Sequence, residues 1–380
     1  MTGRIVLFGA TGYTGRLTAE AMVDRGMRPV LAARNHDKLE ELVSDLGEAL
    51  ETAVADVSNP RSVRALVEKD DVLVTTVGPF ARWGGPAAAA ASSAGAHYID
   101  STGEPVFIRE VFERYGPAAA KRSAGMLTAF AYDWVPGNFA GGLALRGAGR
   151  DAVRVDIGYF LTGKGEMSGG TQASAVGAMT EPSFVFRDGR VRTERGAKRV
   201  RSFRVGAKEQ KAVSVGSSEH FTLPKIAPQL CEVNVYLGWF GPLARPMQVF
   251  SLGLKLPGAA GAVKALGERF VKGSTGGPDA EARAKGGSHI VAIAYDPEGR
   301  ERCEVHVTGV DGYTFTGRML AWGAEQAATG GLQGTGALGP VDGFGLVALA
   351  DGCRWAGLEE EGASRAASGA AKPAEGAALG

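Results

Sequence analysis

The sequence predicts an α/β protein: a doubly wound parallel sheet carrying an inserted α+β domain. Three observations predict it. Short apolar runs alternate with helical patterns over roughly the first 130 residues. A glycine-rich turn joins the first run to the first helix. After Asp133 the alternation stops and longer strand patterns with a hairpin take over.

The elements follow in order. Ile5 to Phe8 is a short apolar run, and Leu17, Met22 and Val23 fit one face of the helix behind it. Val30 to Ala33 reads as the second strand and Lys38 to Leu50 as the second helix. Ala53 to Ala55 is a third strand ending at Asp56, followed by a helix over Arg61 to Val67. Val72 to Val77, His97 to Ile99 and Met126 to Phe130 complete the strands, with helices over Pro86 to Ala94 and Val106 to Tyr115 between them. Parallel strands buried on both faces read as unbroken apolar runs, which is what these are.

Beyond Asp133, Val153 to Phe160 reads as a strand and Gly170 to Met179 as a helix. Phe184 to Val191 reads as a hairpin around Arg187-Asp188-Gly189-Arg190, because Asp-Gly supplies the positive φ angles a two-residue turn needs. Ala212 to Val215, Val233 to Trp239, His289 to Tyr295 and Cys303 to Val310 read as further strands of a predominantly antiparallel sheet. Arg318 to Ala328 reads as a helix that returns to the first domain. The expected divisions are 1–132, 133–315, a returning helical segment 316–356 and a tail without structure over 357–380.

The turn between the first strand and helix is Gly9-Ala10-Thr11-Gly12-Tyr13-Thr14-Gly15. In a strand–turn–helix context each glycine has a job: a tight turn, close approach of a pyrophosphate, and close packing of helix on sheet. The unpaired N–H groups and positive dipole end of the helix face the phosphates. This is a Rossmann-type dinucleotide site, with Gly9, Thr11, Gly12, Tyr13, Thr14 and Gly15 as its phosphate turn. At the end of the second strand, where NAD sites carry an acidic residue, stand Arg34 and Asn35, with Lys38 one turn on. A guanidinium there pairs with a 2′-phosphate, so the expected cofactor is NADP(H). Asp56, closing the third strand, either touches the adenine edge or caps the next helix.

Composition excludes several classes. Lys and Arg number 42 against 41 Asp and Glu, which argues against a nucleic-acid binder. Cys231, Cys303 and Cys353 are far apart without metal-ligand spacing and read as reduced thiols, so a cytoplasmic protein without a bound metal is expected. With the first strand starting at about Arg4, no secretion signal is expected ahead of it. No charge-free stretch is long and apolar enough to span a bilayer. The apolar segment Val233 to Val263 lines a lipophilic pocket, is buried, or makes a dimer contact; any membrane contact is peripheral. Arg187 to Lys211 holds ten basic residues against three acidic. It is either a solvated hairpin or a dock for an acidic acyl carrier protein, a coenzyme A phosphate or an anionic surface.

Several further stretches carry a resemblance. They are Thr75-Thr76-Val77-Gly78-Pro79-Phe80, Trp83-Gly84, Ala94 to Glu104 with its Tyr98-x-Asp100-x-x-Gly103-Glu104 run, and Ala131 to Asn138. Together with Ser168 to Thr171, Gly277 to Arg283, Gly312-Tyr313 and Pro340 to Gly345, they make the chain resemble the saccharopine dehydrogenase-like oxidoreductases. The resemblance implies a Rossmann domain, an inserted α+β substrate domain, NADP(H), and a reductase activity. Some members resemble saccharopine reductase and others look like enoyl reductases acting in trans on lipid or polyketide chains. Short-chain dehydrogenases share the opening motif, but their Tyr-x-x-x-Lys spacing occurs nowhere in this chain.

Ligands of such sheets bind at the carboxyl ends of the strands. Gly78, Pro79 and Phe80 are therefore expected beside the nicotinamide ribose. Asp100 and Glu104 either face nicotinamide and substrate or, through Ser101-x-x-Glu104, form a capping box. Ser168 and Thr171 either meet an anionic substrate group or cap a helix. Tyr132 and Asp133, where the chain leaves the first domain, are the candidates to supply or relay a proton during hydride transfer; otherwise they pack and brace the hinge. The expected activity is NADPH-dependent reduction of a polarised double bond, foremost an enoyl group on a lipophilic or carrier-linked substrate. A saccharopine-type C–N reductase and a non-catalytic NADP(H)-binding sensor or scaffold are the alternatives.

Overall fold

The structure is a computed structural model that describes residues 3–163, 182–239, 244–246, 248 and 276–364. Its first sheet has seven strands in the order β15-β6-β5-β4-β1-β2-β3. These are β1 Ile5–Phe8, β2 Val30–Ala33, β3 Thr52–Val54, β4 Val72–Thr75, β5 His97–Asp100, β6 Gly125–Leu127 and β15 Gly336–Ala337. All pair in parallel. Burial explains the unbroken apolar runs. Leu7, Leu31, Val74 and Ile99 face one layer of helices, while Val6, Phe8, Leu73 and Tyr98 face the other. The alanines of helix Gly85–Ala94 let it lie close against the second face.

The chain returns to this sheet through helix Gly312–Ala328, which lies against helix Tyr13–Asp24. A Cβ on Gly317 would stand 2.9 Å from the Leu17 carbonyl oxygen, so glycine is what permits this approach. Arg25 and Glu325 form an ion pair across the two helices. Asp311 caps the returning helix by accepting from the Tyr313 and Thr314 amides.

The second sheet runs β10-β11-β12-β7-β13-β14-β16, with β8 pairing β12 and β9. Its strands are β7 Arg154–Gly163, β8 Pro182–Arg187, β9 Arg190–Arg195, β10 Val200–Val205, β11 Lys208–Ser214, β12 Glu232–Leu237, β13 Gly286–Tyr295, β14 Glu301–Val310 and β16 Leu358–Ser364. Only the β12–β7 pairing is parallel among them. Asp188 and Gly189 take φ of 51° and 72°, which makes the β8–β9 hairpin the expected one. Helix Val135–Ala148 packs on one face of this sheet, with every residue from Val135 to Leu145 buried. A Cβ on Gly141 would sit 2.9 Å from Leu223, so the helix is seated tightly.

Residues Leu358–Ser364, expected within a tail without structure, instead form β16 and pair with β14. Their acidic side chains hid them, because the pairing is made by backbone. No helix of the described residues is long and apolar enough to cross a membrane.

Candidate functional site

The glycine turn has the expected construction. Gly9 takes φ +93°, and its amide donates to the Ala32 carbonyl at 2.8 Å, tying the turn to β2. A Cβ on Gly15 would meet the Gly9 carbonyl oxygen at 2.1 Å, so the third glycine lets the helix start lie on the turn. Gly12 is the N-cap of helix Tyr13–Asp24, and no side chain caps the first turn. Its N–H groups are left for an anion.

Two residues expected at the cofactor have their side chains engaged elsewhere. Tyr13 turns its ring toward the second domain, edge-on to Tyr313 at 5.3 Å, and its hydroxyl donates to the Pro278 carbonyl. Arg283 donates to that hydroxyl at 3.1 Å and to Pro278 at 3.0 Å. Tyr13 thus offers the turn a backbone amide and spends its side chain latching the domains together. Asn35 is the N-cap of helix His36–Leu46, with its Oδ1 committed to the Lys38 amide at 3.0 Å.

Arg34 and Lys38 are exposed beyond the end of β2, and Arg34 makes no ion pair among the described residues. Asp56 accepts from the Ser58 amide and hydroxyl, both at 2.8 Å, while Asn59 holds the N-cap position of the following helix Pro60–Arg64 without a side-chain capping bond. Those two hydrogen bonds, with help from the Arg34 charge, hold the Asp56 carboxyl below the usual range. Asp56 therefore does not cap the helix.

After β4, the Gly78–Pro79 peptide is cis. Gly78 and Pro79 are half-buried, but the Phe80 ring is turned into the core against Phe107. The Phe80 and Ala81 amides donate to the two Glu104 oxygens at 2.8 and 2.9 Å. This corrects the reading of both residues. Phe80 keeps neither ring nor amide for the cofactor, and Glu104 faces no substrate and closes no capping box. It anchors the start of helix Phe80–Trp83 instead.

Asp100 is corrected in the same way. It is fully buried, with Oδ1 accepting from Thr102 and Ala129 amides at 2.9 Å and Oδ2 from the Thr128 hydroxyl at 2.8 Å. Burial pushes its pKa up to about 6 against these hydrogen bonds. It clasps the ends of β5 and β6 and is out of reach of a substrate. Ser168 and Thr171, and the helix expected around them, lie outside the described residues.

Tyr132 and Asp133 lie at a cavity. A cavity of about 130 Å³ opens between the carboxyl ends of the first sheet and the second sheet. Thr14, Ser101, Tyr132 and Asp133 line it from one side, and Leu161 and Trp239 from the other. Asp133 Oδ1 is buried without a hydrogen-bond partner, and a Cβ on Gly103 would stand 2.9 Å from Oδ2. Burial pushes the Asp133 pKa up to about 7. Tyr132 donates its amide to Thr316 at 3.1 Å and packs edge-on to Tyr159 at 6.0 Å. Its hydroxyl is driven far up by burial, tempered by the nearby Ser288 hydroxyl, so it stays protonated.

Behind this pair lies a cluster that sequence reasoning missed. The Tyr159 hydroxyl accepts from the Gly137 amide at 2.7 Å and donates to Glu219 Oε1 at 2.7 Å. Glu219 is fully buried, and burial pushes its pKa up to about 8, with the Asp133 charge adding to the rise. Nothing local marks Glu219 in the sequence, since only the fold buries it. Arg283 had a signal: it ends the Gly277-Pro278-Asp279-Ala280-Glu281-Ala282-Arg283 stretch.

Residues 5–128 match the saccharopine dehydrogenase NADP binding domain. A protein of Mycobacterium tuberculosis is 36% identical over 187 residues, covering 47% of this chain and 45% of that protein. The trans-acting enoyl reductase of Mycobacterium leprae is 38% identical over 137 residues, covering 35% and 33%. The chain thus spans less than half the length of these relatives. In three dimensions it is similar to saccharopine dehydrogenase (L-Glu forming) of Saccharomyces cerevisiae, with a TM-score of 0.58 and 11% identity over 94% of this chain and 99% of that one. At that identity the likeness is one of fold. The glycine turn, the strand order and these matches agree: residues 5–128 are an NADP-binding domain of the saccharopine dehydrogenase type.

Proposed function

We propose that the protein is an NADPH-dependent reductase acting on a polarised C=C bond, an enoyl group on a lipophilic or carrier-linked substrate, with Asp133 as the proton donor. The carrying observation is the Asp133 carboxyl, unpartnered at Oδ1 and set in the cavity at the strand ends. Bound NADPH supplies a hydride, and reducing an enoyl group also requires a proton at the neighbouring carbon. A carboxyl with a pKa of about 7 is half protonated near neutrality, where general acids work best. Tyr132, its hydroxyl buried without a partner and held protonated, can only donate a proton or a hydrogen bond and cannot act as a base.

The lining supports an enoyl substrate over the saccharopine-type alternative. An amino-dicarboxylate needs several cations to receive it. Among the described lining residues Arg283 is the single cation, and it is already bonded to Tyr13 and Pro278. An imine also arrives protonated and has less need of an acid. The enoyl reductase name of the mycobacterial relatives points the same way.

Of the basic window, Arg187, Arg192, Lys198, Arg199 and Arg201 are paired with Glu232, Asp188, Glu194, Glu194 and Asp156. Arg190, Arg204, Lys208 and Lys211 remain without ion pairs among the described residues and are the part of the window an acidic carrier would meet.

The test is loss of the reduced-nicotinamide absorbance with purified protein and a panel of enoyl thioesters and cyclic imines. Turnover on thioesters, lowered by Asp133→Asn, supports the reading. Turnover on imines alone, insensitive to that substitution, favours C–N reduction. Tight NADPH binding without turnover on either set makes the protein a binding module.

A further inference from the structure

A separate cluster lies on the second sheet, among side chains that do not line the cavity. In β13 and β14, His289 pairs with Thr308 and His306 with Val291. The two histidines are therefore diagonal neighbours on one face, opposite the face that buries Ile290, Val305 and Val307. Their rings meet edge to face at 5.1 Å, with His289 Nε2 and His306 Nδ1 2.8 Å apart. The other nitrogen of His306, Nε2, lies 2.9 Å from Glu304 Oε1. That contact keeps the proton on Nε2 and leaves the Nδ1 lone pair pointing at His289.

The third member comes from β16. The β14–β16 register shifts between His306 and Val307: His306 pairs with Gly362 and Val307 with Glu360. Glu361 is the extra residue of this bulge, and bulges re-aim side chains. One ligand atom each from His289, His306 and Glu361 lies within 4.8 Å of the others. No other trio of metal-type ligands occurs among the described residues.

We propose that His289, His306 and Glu361 bind a divalent transition-metal ion of the zinc type, with water completing the coordination. Two imidazoles and a carboxylate are an ordinary donor set for Zn2+. Tetrahedral bonds of about 2.0–2.1 Å put neighbouring donor atoms about 3.3 Å apart. The two nitrogens need to part by only about half an ångström from where they stand. The His289 proton must leave Nε2, so binding releases or relocates one proton. Glu304 then stands behind His306 as the carboxylate that orients a metal-ligating imidazole. The ion would tie the edge strand β16 to β13 and β14, a structural clamp rather than part of the reduction.

The test uses the tag-free, full-length chain, with exposed Cys231 replaced by Ser to remove a competing thiol. After chelator treatment, Zn2+ is titrated calorimetrically and Co2+ by its visible absorption, which is intense only in tetrahedral sites. The expected result is one ion per chain and a higher melting temperature with Zn2+. Glu361→Gln, a near-isosteric change at an exposed position, should weaken binding at least about ten-fold. His306→Ala should abolish it, and Glu304→Gln should weaken it about 10- to 100-fold. Absence of stoichiometric binding would overturn the proposal, leaving a hydrogen-bonded His–His–Glu chain. So would binding unchanged in both Glu361→Gln and His306→Ala.

Discussion

Replacing Arg34 with Ala tests whether its guanidinium is what would separate NADP(H) from NAD(H). Arg34 stands exposed at the end of β2, with Asp56 close enough to feel its charge. In a watery setting, two unit charges about 4 Å apart attract by about 1 kcal/mol. A phosphate monoester carries about −1.5 to −2, so the pair is worth about 1.5–2 kcal/mol. That is about 10- to 30-fold in affinity. Arg34→Ala should raise the Kd for NADPH by about that factor, leave the Kd for NADH nearly unchanged, and flatten the salt dependence of NADPH binding. Arg34→Asp should go further, because a carboxylate repels the phosphate and accepts from the free ribose hydroxyl. Calorimetry with both nucleotides at two ionic strengths measures all of this. Equal losses for the two nucleotides, or none for either, would refute the role given to Arg34.

Asp133→Asn should leave NADPH affinity intact and lower turnover by about 10²- to 10⁴-fold. In the native protein kcat/KM should fall as pH rises past about 7, as the acid loses its proton; an identical limb in the variant would remove Asp133 from the proton step. Glu219 keeps a proton up to about pH 8 in the folded protein, against an ordinary value of 4.5. Its contribution to stability is full below the ordinary value and is lost as pH rises through the folded one, each unit of displacement being worth about 1.4 kcal/mol. Thermal melts between pH 5 and pH 8 should therefore be flatter in Glu219→Gln than in the native protein. Asp100 and Asp133 share the sign of this effect, so some slope will persist. Gly15→Ala drives a methyl group into the Gly9 carbonyl, 2.1 Å away, and must push the helix off the turn. A cost of about 1–3 kcal/mol in stability and a marked loss of NADPH binding are expected, read by melting and by calorimetry; unaltered binding would show that the turn holds no pyrophosphate.

The parallel sheet was legible because strands buried on both faces read as short, mostly apolar runs, and a tight β-α turn cannot be built without Gly9 and Gly15. Helix Val135–Ala148 escaped notice for the opposite reason. Buried along its first eleven residues, it has no polar face and therefore no period to detect. Strand β15 is two residues long, too short for any pattern. Carboxylates divide the same way. Asp100, Glu104 and Asp133 all follow strand ends, and their spacing left every role open. Amides from distant segments, Ala129 on Asp100 and Phe80 and Ala81 on Glu104, claim those two carboxylates, while Asp133 Oδ1 receives none.

By itself, then, the chain's order of residues determined the dinucleotide turn, the basic strand end and the succession of strands and helices, because those depend on neighbours a few positions apart. The tertiary structure alone decided which of these carboxyls keeps an oxygen without a partner, that Tyr13 latches two domains, and that His289, His306 and Glu361 meet. Hydrogen-bond satisfaction and desolvation depend on what lies across the fold, and sequence separation does not encode it.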